Sequence, residues 1–282
     1  MLGCQGRAPA HVAVQYMNAR GDPDAPEWRM CVVAFAWQVH PRWRLVVAGN
    51  RDEFHARPTA ALAAWPGSGV IAGRDLQSGG TWVGLDRRGR VAVVTNVRDG
   101  IGKPHEGPSR GALPLAFLDG SMDAAATIED LLAAAGAHAP FNLMLADTTG
   151  CWHLGNHPLQ REALAAGVHG ISNGRLDAPW PKTRHLAAAL RDWVDAGNDD
   201  LQTLWRALGD ERIAADADLP DTGVGLALER RLSPAFIRGD AYGTRASTII
   251  TLDHDGRGFI HERRFAPGGV FAGETVLRNH VG

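Results

Sequence analysis

Cys31 follows Met30 directly, so loss of that methionine would leave a cysteine with a free α-amine beside its own thiol. A free thiol has a pKa of about 8.5 and a chain-end amine one of about 8. The amine can therefore take the thiol proton and later return it to a leaving group, so one residue supplies nucleophile and base together. Cysteine is small enough for removal of a preceding methionine. The plain alternative is a buried apolar cysteine opening a core strand. A second cluster follows at Asn50-Arg51-Asp52-Glu53. A carboxylate there can hold an amine in position, and an arginine can stabilise a thiolate or bind an anionic substrate group. The same run also reads as a solvated charged turn.

The two clusters belong together only if the chain brings them together. CVVAFAWQV, a turn at His40-Pro41-Arg42 and WRLVVAGN read as a β-hairpin, which sets residues 50–52 beside Cys31. TWVGLDRRGRVAVVTNV is a second hairpin turning at Asp86 to Gly89, and FNLMLADTTGCWHLGN a third turning at Asp147 to Gly150. GVHGISN is a further strand, and ASTIITLDHDGRGFIHERRF a hairpin turning at Asp255-Gly256. Helical spacing and alanine content predict helices from near Arg110, after Ser121, over Pro181 to Ala196, and over Asp199 to Leu208 with Asn198 as N-cap. Residues 100–110 and 209–240 read as loops, and the pocket lining is expected there. Hairpins at both ends with helices between them indicate antiparallel sheets covered by helices, in one domain over 30–282.

Composition narrows the function classes. The 282 residues are 45% hydrophobic and 21% charged, with a net charge of −2. These are values of an ordinary globular chain and give no reason to expect nucleic acid or an acidic membrane as partner. No apolar run approaches the roughly 18 residues of a membrane span. Cys4, Cys31 and Cys151, with no CxxC pair, argue against a disulfide framework and fit the cytoplasm. Residues 1–29 lack a sustained period and the apolar core of a signal peptide. They read as a disordered extension or as the product of a start codon placed too early, with Met30 as the favoured initiator.

Five separated stretches carry a family resemblance: MCVVAFAW, GNRDEFHARPT, SGGTWVGLDRRGRVAVVTNVR, GISNGRLDAPWPK and YGTRASTIITL. Together they resemble the NRDE family, also called the transport and Golgi organisation protein 2 family, over nearly all of 30–282. The resemblance implies an α+β fold, the four-layer αββα sandwich of antiparallel sheets found in N-terminal-nucleophile hydrolases such as choloylglycine hydrolases and penicillin acylases. It matches Cys31 to the nucleophile and initiating amine. Arg51 and Asp52 resemble the Arg and Asp of choloylglycine hydrolases. The order there is Arg-Asn-x-Asp and here Asn-Arg-Asp-Glu, which leaves open the side chain that faces the thiol. Asn96 and Asn173 are implied as oxyanion donors, the requirement of acyl transfer from an amide, and each also reads as a turn former. Arg245 is implied as a cation closing the site, or as a structural arginine on backbone carbonyls.

Two functions follow from the resemblance. One is a cysteine amidohydrolase or acyltransferase acting on a small-molecule amide or thioester, without a cofactor. The other is a non-enzymatic carrier of lipid or haem. Gly79-Gly80-Thr81-Trp82 has a backbone logic, paired glycines allowing close approach before Trp82 packs on a sheet. Cys151, His153 and His157 lie across one hairpin strand and its turn, and read as a core thiol with two partly exposed histidines rather than a metal site. No P-loop and no GxSxG elbow occur.

Overall fold

The strand Met30–Trp37 (β1) is buried along its whole length, and its alternation sends successive side chains into two different cores. Val33, Phe35 and Trp37 enter an apolar layer with Leu85, Val93 and Met144 of a second sheet. Val32, Ala34 and Ala36 pack on the other side against Leu186, Leu190 and Trp193 of the helix Pro181–Ala196 (α3) and Leu204 of Gln202–Leu208 (α4). A strand covered on both faces has no polar alternation, which is why MCVVAFAW reads as a continuous apolar run.

The protein is described from a computed structural model over residues 30–100, 105–197 and 199–279. The remaining strands are β2 (Trp43–Phe54), β3 (Thr59–Ala64), β4 (Val70–Asp75), β5 (Val83–Asp86), β6 (Val91–Asn96), β7 (Phe141–Ala146) and β8 (Cys151–Asn156). They continue with β9 (Leu159–Ala163), β10 (Gly167–Ile171), β11 (Tyr242–Asp253), β12 (Gly258–Ala266) and β13 (Val270–Arg278). One sheet runs β10-β1-β2-β11-β12-β13 and the other β3-β4-β5-β6-β7-β8-β9, with antiparallel pairing throughout. Helices Ala112–Leu118 (α1) and Ala124–Leu132 (α2) cover the outer face of the second sheet through Leu113, Phe117 and Ile128. The layers are therefore αββα, as expected. Among the described residues no helix is long and apolar enough to cross a membrane.

The structure adds elements that the sequence reading left as loop. A helix at Leu226–Leu232 (α5) lies inside 209–240 and buries Leu228 and Leu232. Strand β9 is exposed along LQREA, so it carries no apolar alternation to read. The proposed Asn198 cap and residues 1–29 lie outside the described residues; α4 begins at Gln202 with Leu201 in the cap position.

Gly79 and Gly80 act as expected, but for different reasons. Gly79 has φ +77 and open space around it, whereas a Cβ on Gly80 would lie 2.5 Å from the carbonyl atoms of Gly111. The neighbouring Thr81 N–H donates to that same Gly111 carbonyl at 3.1 Å. Gly80→Ala should therefore lower stability by roughly 1–3 kcal/mol through overpacking, and Gly79→Ala by about 1 kcal/mol through left-handed strain. Urea unfolding midpoints of the two variants check the order.

Candidate active site

Strand register decides what surrounds Cys31. Cys31 pairs with Arg51, and Met30 with Asp52, across β1 and β2. Directly opposed residues of an antiparallel pair share a face. Cys31 and Arg51 thus point between the sheets, while Met30 and Asp52 point to the outer side. This settles which neighbour the Asn-Arg-Asp-Glu order presents: Arg51 shares the thiol's face, and Asp52 meets the strand from behind.

The face of Cys31 opens into a cavity of about 570 Å³. Arg51, Arg57, Trp82, Asn96 and Arg245 are among its walls. Cys31 itself is only 7% exposed. Arg51 reaches Asp75 at 3.1 Å and Glu53 at 3.5 Å, and Arg57 binds the same Asp75 oxygen at 2.5 Å. Burial works to raise the Asp75 pKa, but hydrogen bonds from Arg57 and the Ser78 N–H, with the Arg57 and Arg51 charges, hold it below the usual carboxylate range. The arginines are thereby fixed as a rigid cationic wall. The thiol fares differently. Burial, followed by the nearby Asp52 charge, pushes it up to about 12, against the pull of Arg51 and the Asp52 backbone N–H. No histidine is among the groups acting on it. With Met30 in place, this thiol is held protonated at neutral pH.

Behind the strand lies a second, closed environment. Met30 is fully buried among Val224, Leu228, Leu232, Ile237 and Tyr242. Its backbone N–H donates to the Tyr242 hydroxyl at 2.8 Å. The Thr244 hydroxyl donates to Asp52 Oδ1 at 2.6 Å, while the buried Asp52 Oδ2 has no hydrogen-bond partner among the described residues. Burial raises the Asp52 pKa to about 6, with Lys182, the Thr244 bond and Arg51 acting in the opposite sense. Arg98 closes the region, pairing with Glu229 and placing its guanidinium 5.2 Å over the Trp180 ring.

The remaining expected residues are placed unequally. Asn96 ends β6, lines the cavity and is half-buried. Asn173 is fully buried, and its carboxamide donates to the Asn96 carbonyl at 2.9 Å, so it braces Asn96 from behind. Arg245 is the extra residue in a register shift of β11, where Thr244 pairs with Asp52 and Ala246 with Arg51. A bulge of this kind re-aims a side chain. One Arg245 nitrogen donates to the Phe54 and Arg57 carbonyls at 2.9 and 3.0 Å while the residue faces the cavity. Arg245 is thus a structural arginine on backbone carbonyls that also stands in the cavity wall.

Of the two loops expected to line the pocket, the described part of 100–110 does so through His105 and Ser109. The stretch 209–240 does not; it packs on the opposite face of β1, around Met30, because α5 brings its apolar side there. Cys151 lies in the inter-sheet core and His153 is buried beside Asn142, whereas His157 meets Asp99 at the surface.

Arg57, Asp75, Tyr242 and Lys182 were not singled out from the sequence. Lys182 did leave a signal, since a lysine in the first turn of a predicted helix opposes the helix dipole.

A prediction follows from Asp52 in the chain with Met30 in place. Its folded pKa of about 6 exceeds its ordinary 3.8, so the unfolded chain loses this proton first as pH rises. Stability contributed by Asp52 is therefore present below pH 4 and lost as pH rises towards 6. Asp52→Asn should remove that loss, so wild type should lose ground to the variant in thermal melts taken from pH 4 to 6.

The comparisons with known proteins agree with the motifs. The family model for Transport and Golgi organisation 2 matches residues 30–267. The Transport and Golgi organization protein 2 homolog of Bos taurus is 30% identical over 260 residues, 83% of this chain and 92% of the bovine protein. The Homo sapiens homolog is 28% identical over 263 residues, with the same coverages. Among solved structures, a mutant conjugated bile acid hydrolase of Clostridium perfringens is similar with a TM-score of 0.47 at 9% identity, over 88% of this chain and 92% of that one. The chain belongs to the Transport and Golgi organisation 2 family.

Proposed function

We propose that this protein is a cysteine amidohydrolase or acyltransferase of the N-terminal-nucleophile type, acting on a small-molecule amide or thioester held in the cavity beside Cys31. The observation that carries the reading is the thiol's setting. Cys31 sits in the wall of a cavity beside a fixed arginine, yet no histidine among the described residues acts on it, and burial with the Asp52 charge pushes its pKa up to about 12. A nucleophile so placed needs a base of its own, and the α-amine released by loss of Met30 is within the same residue.

On this reading the amine takes the thiol proton and the sulfur attacks the substrate carbonyl, forming the C–S bond. Asn96 and the cationic wall of Arg51 and Arg245 face the developing oxyanion. The ammonium returns its proton to the leaving nitrogen as the C–N bond breaks, leaving a thioester on Cys31. Water, giving its proton to the amine, or another acceptor then displaces the sulfur, which recovers its proton. No metal enters this scheme. A cytoplasmic setting fits it, because Cys31 and Cys151 are both free thiols.

The test is a mass measurement on protein incubated with a library of acyl amides and thioesters. An acyl adduct on the Cys31 peptide, absent from Cys31→Ala together with the turnover, supports the reading. Binding without any adduct, or turnover that survives in Cys31→Ala, would count against it in favour of a carrier.

A further inference from the structure

Lys182 is a buried cation in a place where helix electrostatics oppose it. Trp180 caps α3 and Pro181 opens it, which puts Lys182 in the first turn, where the exposed N–H groups already carry positive partial charge. The side chain is buried, 4% exposed. Its ammonium makes one hydrogen bond, to the Leu232 carbonyl at 3.1 Å, and no ion pair among the described residues. Burying an ammonium without a contacting carboxylate is costly on general grounds.

Asp52 has the complementary problem. Its Oδ2 is buried and without a hydrogen-bond partner among the described residues, although Thr244 satisfies Oδ1. The two groups meet in the same region. Leu232, which receives the Lys182 bond, packs on Met30, and Met30 lies opposite Asp52 in the register. Each acts on the other's charge across the gap, and Lys182 also feels the Cys31 thiol. A buried acceptor and a buried cation that attract without touching flank the backbone at the Met30-Cys31 junction. The α-amine of a chain beginning at Cys31 would belong at that junction.

We propose that Lys182 is a positioning residue for the Cys31 α-amine: paired across the gap with Asp52, its positive charge keeps that amine neutral and able to accept the thiol proton. The inference rests on the reading of Cys31 as an N-terminal nucleophile. Asp52 Oδ2 supplies the acceptor that orients the amine. Taken alone, that carboxylate would favour the ammonium, which is no base. Lys182 is the counterweight. Burial lowers the Lys182 pKa to about 8, which leaves it mainly protonated at neutral pH. The other titratable groups of the region are Arg51 and Glu53 on β2, Tyr242 on β11, Arg98 after β6 and Glu229 on α5; burial keeps the Tyr242 phenol neutral, and Arg98 and Glu229 neutralise each other in an ion pair.

The experiment uses protein purified from its native host, with its N-terminus read by mass. The rate of Cys31 alkylation by iodoacetamide is followed from pH 5 to 10 in wild type, Lys182→Met and Lys182→Arg. Removing the cation should move the rising limb of the profile about one pH unit upward and slow alkylation at pH 7 about tenfold. Lys182→Arg, which keeps the charge, should leave the limb in place. An unmoved limb in folded Lys182→Met overturns the inference while leaving the nucleophile reading intact. Should Lys182→Met not fold, the amine of wild type is titrated directly by ¹⁵N NMR. A pKa below the ordinary value of about 8 supports the inference, and one at or above it overturns it. A mature chain that still carries Met30 overturns both readings together.

Discussion

The pairing of β1 with β2 in one register is the constraint on which the rest of this molecule depends. Cys31 opposite Arg51 and Met30 opposite Asp52 divide the chemistry between the two faces of a single sheet. A slip of one residue would exchange the faces. The thiol would then be closed off beneath α3 and α5, and the carboxylate would stand in the cavity. The apolar layers on both sides of β1 make that slip costly, because Val33 and Phe35 belong to one core and Val32 and Ala34 to another.

The two faces perform different tasks. The cavity side is cationic and rigid, with Arg51 and Arg57 both locked on Asp75 and the bulged Arg245 held on two backbone carbonyls. On the proposed reading it receives a polarised carbonyl or an anionic group. The rear side is nearly dry, and there Asp52, Lys182 and Tyr242 gather around one backbone position. Desolvation on that side makes small charge displacements count for more than they would in water. The long-range links are what hold the two together: Ser172 donates to the Cys31 carbonyl at 2.7 Å, and Asn173 to that of Asn96 at 2.9 Å.

Much of this architecture was legible in the sequence. The hairpins announced themselves through β-branched runs and turn residues, and the first of them already placed residues 50–52 beside Cys31. The helix over 181–196 followed from its spacing. What escaped had physical reasons. Strand β9 is exposed throughout, and β3 is an alanine-rich edge with Leu62 as its buried residue, so neither displays a period. α5 is short and preceded by Gly223 and Gly225, both with positive φ. The bracing role of Asn173 depends on a partner 77 residues away. No local pattern encodes such a contact. Lys182 was visible as a misplaced charge, but its meaning depends on Asp52, which only the folded register brings near.

On the proposed reading, the residues around Cys31 are arranged for a free amine at the position that the Met30 peptide bond otherwise occupies. The most direct measurement is the mass of the N-terminal peptide in the protein fraction that carries activity. A peptide beginning at Cys31 with a free α-amine is the predicted result. Full activity in protein that retains Met30 would contradict it.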